Sequence, residues 1–265
     1  MGIVGYGMTR LGKILFCFGL GGLGVLSLIY DDFAMVWQPV PAWVPHREIL
    51  AYSSGALLLA CSVGAIFRRT ASLATIVLTV FVFSWLLLLQ VPRVVSDPSN
   101  EGMWLGFGET LLLGSGAWVL FVSGAINEGR RWGGVAPGDQ FLRTGRRMFG
   151  AALPLIGLSH FIYSAGTASL VPAWLPGRLF LAYLTGTGHI AAGVGILLGI
   201  LPGLAASLEA TMITMFVLLL HLPGVASQPR DRLQWTMFFI ATAYAGSAWA
   251  VAGSALGARR SMGSP

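Results

Sequence analysis

Three of the four histidines in this 265-residue chain, His160, His189 and His221, lie inside apolar stretches of its C-terminal half. An ionisable side chain in such surroundings is expensive to keep, so each one is a candidate for function. Imidazole there can do three things. It can hydrogen-bond a backbone carbonyl and fix helix packing, contact a quinone or other small molecule, or ligate a haem or metal ion. A small-molecule pocket opening outward would use His160, His221 and Arg178. Haem would need two histidines facing each other at equal depth, which His160 and His221 meet and His189 does not. No HxxxH-type pair supports a metal site.

Two carboxylates also fall in apolar stretches. Glu109, in GFGETLLLG, is the deeper by its flanks and could partner Arg47 or Arg93, or be a buried protonatable group. Glu209 reads as a snorkelling or capped carboxylate near the interface, with a proton relay as the alternative. Arg47 and Arg178 each stand two residues after a VPxWxP proline. They would bind lipid phosphate or a loop carboxylate, or form an anion-binding pair.

The elements that must position these groups are membrane helices. Of the residues, 55% are hydrophobic and only 10% charged, with a mean hydropathy of +0.77, against about 25% charged in ordinary soluble domains. Runs of about 20 apolar residues predict eight spans, near 14–30, 47–67, 71–91, 103–126, 148–166, 179–200, 203–222 and 233–256. With eight spans both termini share a side. That side collects Arg10, Lys13, Arg68, Arg69, Arg130, Arg131, Arg143, Arg146, Arg147, Arg259 and Arg260, and the other holds Arg47, Arg93, Arg178, Arg230 and Arg232. The positive-inside rule then places both termini in the cytoplasm. Because the basic residues follow topology rather than forming a patch, no nucleic-acid partner is expected. Trp37, Trp43, Trp104, Trp174 and Trp235 fall at the opposite ends of the spans, as an interfacial belt would. The loop 31–46 is expected along that interface. Cys17 and Cys61 sit within spans and read as small buried hydrophobes. The first span lacks a convincing cleavage site and is kept in the mature protein.

The chain repeats itself. VPAWVPHREILAY (40–52) matches VPAWLPGRLFLAY (171–183), an offset of 131 that continues without a gap through Gly55/Gly186, Pro92/Pro223, Trp104/Trp235 and Trp118/Trp249. About 23 of the 65 positions from 40 to 104 are identical. LLLLQVPRV (86–94) and VLLLHLPGV (217–225) are one phrase in two copies, with Gln90 where the second has His221. The prediction is an all-α membrane protein of eight transmembrane helices. They form two tandem four-helix bundles related by a pseudo-twofold axis along the membrane normal, with units at 1–126 and 148–258 and a cytoplasmic linker at 127–147. In the first copy His160, His189 and His221 become Ile29, Leu58 and Gln90, so any polar site belongs to the second copy.

The stretches GLSHFIYS (157–164), VPAWLPGRLFLAYLTGTGHIAAGVGILL (171–198) and the third helix ending in HLP (204–223) resemble the DoxX-like family of bacterial membrane proteins. The resemblance covers most of 149–256 and, more weakly, 18–125. It implies an inner-membrane location and, as in some members, quinone- or thiosulfate-linked redox work. Members are typically single four-helix units and commonly carry an acidic residue where this chain has His189.

No GxSxG, Walker loop, dinucleotide fingerprint or HExxH is present, and no extramembrane segment is large enough for a soluble catalytic domain. The expected function is a membrane subunit of a redox system, binding quinone or a small substrate in the outer half of the C-terminal bundle. A soluble or membrane redox partner would complete its chemistry. The alternative is a non-catalytic scaffold or transporter-like protein that binds lipid or a partner subunit.

Overall fold

A computed structural model describes residues 2–131 and 137–258; Arg259 and Arg260, used in the charge asymmetry, lie outside them. Among the described residues the chain is helical throughout, without strands. The first repeat runs α1 (Ile3–Tyr30), α2 (Arg47–Gly64), α3 (Ala71–Trp85), a π-helical turn (Leu86–Gln90), α4 (Val91–Ser96) and α5 (Glu101–Asn127). The second runs α6 (Asp139–Ile162), α7 (Ser164–Leu170), α8 (Arg178–Leu198), α9 (Pro202–Phe216), a π-helical turn (Val217–His221), α10 (Leu222–Ser227) and α11 (Arg232–Ala258).

From α2 and α8 onward nearly every boundary recurs 131 residues later, and local chemistry explains why. The side chains of Asn100 and Asp231 cap α5 and α11, accepting from the amides of Gly102 at 3.0 Å and Leu233 at 2.8 Å. The indoles of Trp104 and Trp235 donate to the carbonyls of Pro98 and Pro229, both at 2.9 Å. Pro92 and Pro223 each sit two residues beyond the end of a π-helical turn. A proline lacks the amide that would continue the i→i−4 ladder, and the wider turn takes up the mismatch.

Among the described residues, six helices are long and apolar enough to cross a membrane, and the α6–α7 pair makes a seventh if its 92° bend is counted within one span. The protein is therefore a multi-pass membrane protein. Of the eight predicted segments, 47–67 falls short of that standard. It ends at Gly64 and carries Arg47, Glu48, Tyr52, Ser53 and Ser54. The helix predicted at 148–166 starts earlier, at Asp139, inside the expected linker. Leu142, Gly145, Arg146 and Phe149 recur on its buried face, and Arg146 is held by Asp139 at 2.9 Å and by the Ser254 carbonyl at 3.1 Å.

Packing exchanges partners between the repeats. α1 lies chiefly against α11 and α2, and α6 against α5 and α8, so the first helix of each unit packs on the last helix of the other. Small residues permit this. A Cβ added at Gly12 would come within 2.4 Å of the Ala250 nitrogen, and one at Gly246 within 2.2 Å of the Phe16 nitrogen, the close backbone approach that drives association where lipid offers no hydrophobic gain.

The loop after α1 does not lie flat on the interface. Phe33, Ala34, Trp37 and Gln38 are buried, and Trp37 packs edge-on against Trp85 at 4.6 Å. Trp37 is thus a core residue and not part of the aromatic belt. Its counterpart in the second unit, Ala168, lies on α7, which buries none of its residues.

A histidine-lined cavity and its polar walls

That difference leaves space in the second unit. In the first repeat, Trp37 and Trp85 pack together beneath the loop after α1. In the second, Ala168 and Phe216 stand at those positions, and a cavity of about 400 Å³ opens. Its walls come from α6, α7, α8, α9 with its π-helical turn, and α11, and they are closed by Leu105, Glu109 and Leu112 of α5 from the first unit.

All three membrane histidines reach this cavity. His160 and His189 meet edge to face with ring centroids 5.0 Å apart, and Phe216 packs near both. His221, the last residue of the second π-helical turn, lines the same space. His160 Nδ1 lies 3.0 Å from the Thr185 hydroxyl. His189 Nδ1 lies 2.7 Å from Glu209 Oε1, in a pair 4% and 0% exposed. His189 therefore shares the depth of His160.

Glu209 is not a snorkelling group. It is fully buried, its other oxygen has no partner, and it acts as the anchor behind His189. Glu109 meets neither Arg47 nor Arg93. It faces the cavity from the opposite wall, with the Tyr244 hydroxyl beside it but without a hydrogen bond of ordinary geometry. The buried indole nitrogen of Trp37 is likewise unpartnered at the cavity edge.

The remaining sequence candidates lie elsewhere. Arg47 pairs with Asp32, the loop carboxylate, and stacks over Phe33. Asp32 also receives Arg232 of the second unit at 3.4 Å, and Arg232 lies over Tyr30. Burial pulls the Asp32 carboxyl upward, but the Arg47 hydrogen bond, the Phe33 amide and the two guanidinium charges outweigh it and leave the group below its ordinary value. Arg178 is exposed on the outer surface beside α7, away from the cavity, because its counterpart to Asp32 is Tyr163. Gln90 is buried at 1% and accepts from Arg93 at 3.1 Å, in room left by Gly106. Met237, the counterpart of Gly106, instead lines the cavity.

Chemically, this is an apolar chamber with a few convergent polar groups and no lysine or arginine on its walls. It suits an uncharged, lipid-soluble headgroup better than a phosphate. His160, which a haem would set opposite His221, is instead engaged by Thr185 and touches His189. Among the described residues, no three histidine, cysteine or acidic side chains converge as metal ligands. No family model, curated protein or solved structure matches the chain.

Proposed function

We propose that this protein is a membrane subunit that binds a quinone or a closely related lipid-soluble molecule in the histidine-lined cavity, as part of a redox system. The observation that carries the reading is the convergence of His160, His189 and His221 from three helical segments on one apolar cavity walled mainly by the second repeat. Leu170 and Met215 line the cavity and are 56% and 42% exposed on the helical surface. A ligand with its polar head at the histidines would run its apolar tail past them into the bilayer. The redox assignment takes its direction from the DoxX-like pattern, and electrons would come from a partner.

In this reading all eight predicted segments cross a bacterial inner membrane with both termini in the cytoplasm, and α2 is the short, polar span. A pseudo-twofold axis along the membrane normal relates the repeats. The 131-residue coincidence of boundaries and the reciprocal packing of α1 on α11 and α6 on α5 support it.

The test is to purify the protein in detergent, wash it free of bulk lipid and extract it for mass spectrometry. A stoichiometric quinone or other neutral lipid is expected, and it should be depleted in His160→Ile/His189→Leu/Glu209→Leu. Recovery of phospholipid alone, unchanged by the variant, would support a lipid-binding scaffold instead.

A further inference from the structure

The two touching histidines differ in the hydrogen-bonding role they offer the cavity, and that difference specifies the ligand. Thr185 has one hydroxyl proton, and it is directed at the carbonyls of Leu181 at 2.9 Å and Ala182 at 3.0 Å. With that proton on a backbone carbonyl, the oxygen is left to accept from His160 Nδ1, and the Ala182 carbonyl is a second partner of the same ring. No carboxylate touches His160, so in these apolar surroundings the ring is neutral, and Nε2 is left with a lone pair.

His189 is set the other way. Its Nδ1 faces Glu209 at 2.7 Å in a pair sealed from solvent. Two arrangements avoid both a net buried charge and a proton stranded on the unpartnered Glu209 Oε2. Either the imidazolium meets the carboxylate, or the carboxylic acid donates to a bare Nδ1. In both cases Nε2 of His189 carries a hydrogen. The adjacent rings thus present one acceptor and one donor.

Resting on the quinone-type reading above, we propose that the site selects a headgroup bearing an O–H, the hydroquinone or phenol form, over the corresponding carbonyl form. A hydroxyl placed between the rings accepts from His189 and donates to His160, satisfying both. A quinone carbonyl, or an ether, satisfies His189 alone and leaves the His160 nitrogen desolvated and unpaired, which costs binding. Glu109, which lines the cavity from α5, is a further acceptor for a second hydroxyl.

Isothermal titration of the full-length protein in lipid nanodiscs, under anaerobic conditions, compares three probes of one shape. These are a short-alkyl 1,4-hydroquinone, its benzoquinone and its dimethyl ether. The hydroquinone should bind at least about tenfold more tightly than either of the others. Thr185→Val keeps the size and branching of the side chain but removes the acceptor for His160 Nδ1. It frees the ring to turn its proton toward the cavity, and the preference should shrink to about threefold or less. Quinone binding as tightly as hydroquinone in the unmodified protein would overturn this selectivity while leaving the binding site standing. A tenfold preference that survives Thr185→Val would overturn the tautomer argument. Saturable binding by none of the three would overturn both the selectivity and the quinone reading.

Discussion

His189 and Glu209, joined at 2.7 Å between α8 and α9, replace two fully buried leucines of the first repeat, Leu58 and Leu78. The fold thus tolerates an apolar pair at these positions, and of the polar pair His189 lines the cavity. Breaking a buried pair by removing one partner strands the other and costs about 3–5 kcal/mol. Glu209→Leu and His189→Leu should each lower the thermal unfolding midpoint in detergent markedly. The double variant should recover to within about 1 kcal/mol of the parent, since apolar replacement of a whole buried pair is often neutral. Additive losses in the double variant would show that the two residues do not act as a pair.

The Asp32 cluster ties the outer loop of the first repeat to the start of α11. Its folded carboxyl lies below its ordinary value, so the contribution is fully present above the usual carboxylate range. It is lost as pH falls through the lowered folded value. With Asp32 about one third exposed, solvent screening limits the effect to about 1 kcal/mol. Asp32→Asn should lower the unfolding midpoint slightly at neutral pH and flatten its acid dependence between about pH 5 and 2, measured by thermal scans across that range. Cavity binding should be unaffected.

Close helix approach makes a separate prediction. Gly246→Ala would push a methyl group into the Phe16 backbone on α1. Overpacking of this kind costs about 1–3 kcal/mol. Gly7, on the same helix as Phe16, has open space around it, and Gly7→Ala should be neutral or stabilising by about 0.5–1 kcal/mol. Comparative unfolding of the two variants checks the exchanged α1–α11 interface directly.

His221→Gln installs the residue that the first repeat carries on the equivalent π-helical turn. Because Gln90 already ends such a turn, the variant should unfold at the parent temperature. His221 lines the cavity but lies outside the donor–acceptor pair formed by His160 and His189, so the preference for hydroquinone over quinone should be unchanged in the same titrations.

Much of this was legible in the sequence. The 131-residue repeat carries the helix boundaries, and the uneven distribution of histidines marks the second unit. Several features were not. Hydropathy counts apolar residues but does not say which helix meets which, so the exchange of α1 and α6 between units was hidden. Trp37 was placed at the interface by its loop position, whereas burial against Trp85 was worth more than a place in the belt. Glu209 was read from its distance along the helix, which carries no information about a neighbour on α8. One signal could have found it: Leu58 and Leu78 both become ionisable in the second copy, a paired change within one chain. The sequence groups Arg178 with His160 and His221 at a pocket, but the carboxylate that holds Arg47 is a tyrosine in the second repeat, and Arg178 stays exposed.

The central claim is that the second repeat's polar residues build a ligand site where the first repeat is packed. The most direct measurement is the equilibrium binding isotherm of a short-alkyl hydroquinone to the nanodisc-embedded protein. It is compared with His160→Ile/His189→Leu/Glu209→Leu, which restores the first repeat's side chains at all three positions. The account predicts saturable, near one-to-one binding in the parent and its loss in a variant that remains folded. No saturable binding in the parent, or the same isotherm in both proteins, would contradict it.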